Sequence, residues 1–97
     1  DKNYYSIVLS DKSEFAEILI LTAIDTGVKI DGILGKKNEN YCGKKVILQI
    51  NHESNVDVII ITTLHEPNAR YKFLKKKYSK YHIVVPEFLG LEKKLLQ

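Results

Sequence analysis

The stretch VDVIIITT at 56–63 constrains the fold more than any other. A strand with one wet face alternates apolar and polar residues. Here four β-branched apolar residues, Val58 to Ile61, follow one another without a break. Such a run has no side to offer water and reads as a strand buried on both faces, as in a parallel sheet covered by helices. It is far too short to cross a bilayer, and so is ILIL at 18–21.

The surrounding chain supplies the partners such a strand needs. Tyr5–Leu9 is short, β-branched and aromatic, and ends in polar residues, which predicts a first strand. Asp11 or Ser13 can then cap a helix, with Phe15, Ile18, Leu19 and Thr22 falling on one face and Gly27 ending it. VKIDGIL at 28–34 alternates and reads as a half-exposed strand. The polar, basic 35–45 reads as a loop or hairpin tip, and VILQI at 46–50 as an added edge strand. Pro67 suits the first turn of a second helix reaching about Ser79, anchored by Phe73 and Leu74 with Tyr71 and Tyr78 at its margins. YHIVV at 81–85 reads as another strand, and 86–97 as a terminal helix packing Phe88 and Leu89. Alternating strands and helices predict an α/β fold: a central parallel sheet of about four strands, flanked by helices and joined by right-handed crossovers.

Composition bounds the rest. Ninety-seven residues with 44% hydrophobic and 28% charged content suit one globular domain spanning 1–97 and exclude a disordered or collagen-like chain. The start at Asp1 and the absence of methionine lead to the expectation of a piece of a longer protein. A lone cysteine, Cys42, has no internal disulfide partner, which favours a reducing compartment. Net charge +3 suits acidic partners.

The closing segment HIVVPEFLGLEKKLL, the glycine turn IDTGVKI and the strand VDVIII together resemble the BRCT family, in the family's order and over nearly the whole chain. Phe88 stands where the family's usual tryptophan would be, and the stretch from Gly35 to Asn55 is longer than the family's connection. The resemblance implies a three-layer fold and a phosphopeptide-binding module of a nuclear scaffold in DNA-damage response, replication checkpoints, silencing or chromatin. It also implies where a phosphate would sit: the Ser10 hydroxyl, the backbone N–H of Asp11, and Lys72, with Arg70, Lys76 and Lys12 contacting the flanking peptide. A helix N-terminus and a cation suit that anion. The family commonly has glycine where this chain has Asp11, whose carboxylate repels phosphate unless it turns away. The alternative reading of Ser10-Asp11 is a plain helix start.

Two other partner classes stay open. ILIL wraps its helix in apolar side chains, so Ile20 or Leu21 either enters the core or meets a neighbouring domain or a second copy. The cluster Lys72, Lys75, Lys76, Lys77 and Lys80 is either a solvated helix face or a weak DNA contact. Catalysis has little support. His52, His65, His82 and Cys42 have no metal-ligand spacing, and no glycine-rich phosphate loop occurs. The expectation is a non-enzyme without metal or cofactor, and without a membrane partner.

Overall fold

A computed structural model describes residues 6–51 and 55–86. Along the chain run β1 (Ser6–Leu9), α1 (Glu14–Thr26), β2 (Lys29–Leu34), β3 (Glu39–Tyr41), β4 (Lys44–Ile47), β5 (Val58–Ile60), α2 (Pro67–Lys77) and β6 (His82–Val84). They build one mixed α/β unit around a six-stranded sheet of order β3-β4-β2-β1-β5-β6. Every neighbouring pair is parallel except β3 with β4. Tyr5 and the terminal helix expected beyond Pro86 lie outside the described residues.

The apolar run behaves as its composition demands. Val58 and Ile60 of β5 face the α1 side of the sheet, while Ile59 and Ile61 face the α2 side. In β1, Ile7 and Leu9 likewise join Ala16, Ile20 and Ala23 of α1, whereas Val8 joins Leu74 and Tyr78 of α2. The two helices therefore cover opposite faces. Each deeply buried Ile or Leu contributes about 1.5–3 kcal/mol.

The sheet has six strands, one more than the four and the added edge strand expected, because 35–45 contributes β3. The strand foreseen at 46–50 begins earlier, at Lys44, and ends at Ile47, so Leu48, Gln49 and Ile50 leave the sheet. Outside it lies β3, joined by a two-residue turn at Cys42 and Gly43, with φ of 52° and 81°. Positive φ at both central residues is the hairpin turn whose twist matches the strands it joins.

Helix packing corrects three expectations. Ile20, foreseen as a candidate interface residue, is 1% exposed and sits in the core. Ile18, expected on the buried face, is 58% exposed, and Phe73, expected as an anchor, is 53% exposed. The stripe α1 buries is Ala16, Ile20 and Ala23, spaced i, i+4, i+7. In α2 the anchors are Leu74 and the following Tyr78, whose hydroxyl accepts the Ile50 N–H at 3.1 Å.

Gly35, just after β2, must stay a glycine. A Cβ there would collide with Cγ1 of fully buried Val46, while the Gly35 N–H donates to the Ile47 carbonyl at 2.9 Å. Gly35→Ala is expected to destabilise the fold by about 1–3 kcal/mol through overpacking. A denaturant melt checks this; an unchanged midpoint would contradict the packing described.

Candidate anion-binding site

Ligands of parallel α/β sheets gather beyond the carboxyl ends of the strands, where the winding reverses. Here that point lies between β1 and β5, since β2 follows on one side of β1 and β5 lies on the other. Ser10 and Asp11 directly follow β1, and Thr62 and Thr63 lie just beyond β5. Both predicted donors, the Ser10 hydroxyl and the Asp11 amide, lie at this point.

Neither is free. Ser10 is fully buried, and its hydroxyl accepts the Thr62 N–H at 2.8 Å. Asp11 N–H donates to Thr62 Oγ1 at 3.0 Å, and that hydroxyl donates back to the Asp11 carbonyl at 2.6 Å. The Thr63 hydroxyl donates to the Asp11 carboxylate, which leaves Thr63 Oγ1, 3.0 Å from Ser10 Oγ, to accept the Ser10 proton. Ser13 caps α1, taking the Ala16 N–H at 3.0 Å and donating to the Thr62 carbonyl at 2.7 Å. Every hydroxyl proton at the strand ends is engaged. The Ser-Asp-Lys-Ser segment laces β1 to β5 and starts a helix, and the Ser10 hydroxyl and the Asp11 amide serve as ties within that network.

The cation at this point is Arg70, not Lys72. From α2, the Arg70 guanidinium reaches the Ser10 carbonyl at 3.1 Å through Nη2. Its Nε stands 3.5 Å from Asp11 Oδ2 and, though buried, has no hydrogen-bond partner. Two positions along a helix are about 200° around it. Lys72 accordingly lies on the outer face of α2, in a shallow groove with Tyr71, Phe73, Lys75 and Lys76, away from the strand ends. The lysines of the last turn also complement the negative end of the helix dipole, which accounts for their position without any ligand.

Beside these ties opens a cavity of about 560 Å³, walled by Asp11, Lys12, Gly35, Lys36, Lys37 and Glu39 among others. Lys12 is ion-paired with Glu39. That bond, the largest influence, holds the Glu39 carboxyl below its ordinary value. Glu39 therefore stays ionised at neutral pH, and the tie is lost as falling pH passes through the lowered value. Lys36 and Lys37, which sequence reading left in an anonymous polar loop, are exposed on the turn after β2. Their signal in the sequence was Gly35: a tight strand end followed by two cations. His65 stands on the same cavity and pairs with Glu66 at 3.4 Å.

Cys42 is exposed at the hairpin tip. Local desolvation and then the neighbouring Glu17 carboxylate push its thiol above the ordinary value, which favours the unreactive protonated form. Glu17→Gln is expected to shift the pH profile of Cys42 alkylation toward lower pH, read by iodoacetamide labelling. An unmoved profile would contradict the Glu17 contact. Among the described residues, no group of three or more His, Cys, Asp or Glu is placed to hold a metal, and no helix is long and apolar enough to cross a membrane. Compared with known proteins, the chain matches no family model, no curated protein and no solved structure.

Proposed function

We propose that the chain is a BRCT-like, non-catalytic interaction module of a nuclear scaffold that binds a phosphorylated Ser/Thr segment of a partner protein. The binding place is the end of the sheet beyond β1, β2 and β5, where a cavity of about 210 Å³ lined by Asp11, Gly35, Lys36 and Arg70 adjoins, through Asp11, Gly35 and Lys36, the larger one that carries Lys12 and Lys37. Support for the family reading comes from the parallel core β2-β1-β5-β6 with helices on opposite faces, beside the motifs at 24–30, 56–61 and 82–96.

The observation that carries the reading is Arg70. A guanidinium with an unpartnered Nε–H, drawn to the reversal point of a parallel sheet, already holds one carboxylate, that of Asp11. A site that gathers an internal anion has the charge and geometry to gather an external one, once Asp11 swings aside. Lys36, Lys37 and Lys12 then supply the remaining charge, and Arg matches phosphate oxygens in a planar fork. The phosphate contacts are thus assigned to Arg70 and Lys36, with Lys37 and Lys12 flanking. Lys72 and Lys76 are left outside the site.

Calorimetric titration of a phosphopeptide pool and its dephosphorylated twin tests this. Phosphate is expected to tighten binding at least tenfold, and Arg70→Gln to weaken it about 10–100-fold, the scale of a charged hydrogen bond. Lys72→Ala is expected to change it less than about threefold. Equal affinity for the two peptide forms would remove the reading.

A further inference from the structure

Two cations at the strand ends each hold a carboxylate of the chain's own. Arg70 stands by Asp11, with Nε 3.5 Å from Oδ2, in the smaller cavity. Lys12 is ion-paired with Glu39 in the larger one. The two cavities share Asp11, Gly35 and Lys36 as walls, so the two pairs are neighbours. A phosphate held by Arg70 and Lys36 fills the first place and leaves the second as it was.

The second place is built by the hairpin. Glu39 and Tyr41 alternate with Asn40 along β3 and therefore share one face of it. Tyr41 packs against the α1 side of the sheet, and its hydroxyl donates to the Ser13 carbonyl at 3.2 Å. That tie holds β3 against the start of α1, where Glu39 meets Lys12. The Lys12 bond is the largest influence on the Glu39 carboxyl, and the charge of Lys37 adds to the hold. Two cations thus converge on one acid. The Lys12 side chain is 41% exposed and that of Glu39 27%, so an incoming acid can reach the pair and take the place of the internal one. Ion pairs open to solvent are weak and cost little to part. Lys37 and Glu39 belong to the stretch by which this chain exceeds the connection of the family it resembles.

From these two pairs we infer that the site takes a segment with two acidic groups: the phosphate displaces Asp11 from Arg70, and a carboxylate close to it in sequence displaces Glu39 from Lys12. The inference rests on the phosphopeptide reading and adds a second acid to it. The group displaced at the second place is a carboxylate on a lysine, so its replacement is an Asp or Glu side chain of the partner. An extended peptide advances about 3.3 Å per residue, and side chains on one face recur about every 7 Å. Cavities with common walls are therefore bridged by an acid within about three residues of the phosphorylated one. Lys12 binds that acid, Lys37 supports it, and Glu39 competes with it.

Calorimetry with defined phosphothreonine peptides tests this on the full chain and on Lys12→Gln and Glu39→Gln. One peptide carries alanine at the positions flanking the phosphothreonine, the others carry a single glutamate at one of them, and each has an unphosphorylated twin. Glutamate at the matching position is expected to tighten binding about threefold to tenfold, between an exposed ion pair and a charged hydrogen bond. Lys12→Gln should abolish that gain and leave the alanine peptide within about twofold of its wild-type affinity. Glu39→Gln should tighten the glutamate peptide by about threefold more, and the alanine peptide by less, because only the first has to displace Glu39. Phosphoserine at the matching position should bind no tighter than glutamate; a gain of about tenfold over glutamate would overturn the carboxylate assignment. Glutamate without effect at every flanking position, or a gain that survives Lys12→Gln, would overturn the inference and leave phosphate recognition standing. Equal affinity of phosphorylated and unphosphorylated peptides would instead remove the reading beneath it, and the inference with it.

Discussion

Truncating Ile20 to alanine is expected to destabilise the protein by about 2–5 kcal/mol, whereas Leu21→Ala should stay within about 0.5 kcal/mol. The two residues are neighbours of equal hydrophobicity in ILIL, yet they stand at 1% and 59% exposure. Ile20 lies among Ala16, Ala23, Ile7, Leu9, Ile30 and Ile33, and its loss leaves a cavity between α1 and the sheet. The small alanines on either side have nothing to extend into that space, so the upper part of the range applies. Chemical denaturation of both variants checks the contrast. Equal effects would mean that α1 is rotated relative to the sheet.

The second large effect belongs to Thr62→Val. Valine keeps the shape of threonine but removes the oxygen that accepts the Asp11 N–H and donates to the Asp11 carbonyl. Both backbone groups of Asp11, which are part-buried, are then left without those partners, at up to about 1–3 kcal/mol for each. Ser10→Ala orphans the Thr62 N–H in the same network and should lose about the same as a single group. Because the two changes share partners, the double variant should lose less than their sum. Thermal melts of the three variants read this directly. A stable Ser10→Ala variant that had lost phosphate affinity would instead restore the hydroxyl as a ligand donor.

Much of the fold was legible because local chemistry and tertiary packing agree. The continuous apolar run predicted a strand covered on both faces, and β5 is covered on both. Gly27 was read as a helix end, and it takes φ of 76° with its N–H on the Ala23 carbonyl at 3.0 Å. Ser13, one of two caps considered, is the one used. The orientation of α1 was less legible, because counting large apolar residues ignores alanine. Ala16 and Ala23 define the buried stripe, and they bring the helix close to the sheet by being small. The hairpin was hidden by its lysines: Lys44 and Lys45 made the first half of β4 look like loop, although β4 pairs with β3 along its outer side.

The geometry of the strand ends was legible in place but not in its contacts. The carboxyl end of β1 does lie where the parallel sheet reverses its winding. Which groups are free at that point is a matter of hydrogen-bond partners from Thr62 and Thr63, 51 to 53 positions away, and no local motif carries that. Arg70 and Lys72 differ by two positions in sequence and by most of a half-turn in space. Only the seating of α2 through Leu74 and Tyr78 decides which of them faces the strand ends.

The most direct test of the central claim is to map backbone amide shifts while the phosphopeptide pool is titrated into the folded chain. The anion site described predicts phosphate-dependent shifts at Gly35, Lys36, Lys37 and Asp11, together with the Arg70 side-chain Nε–H, and little change at Lys72 and Lys76. Phosphate-dependent shifts confined to Lys72, Lys75 and Lys76, with Lys36 and Arg70 unmoved, would contradict it.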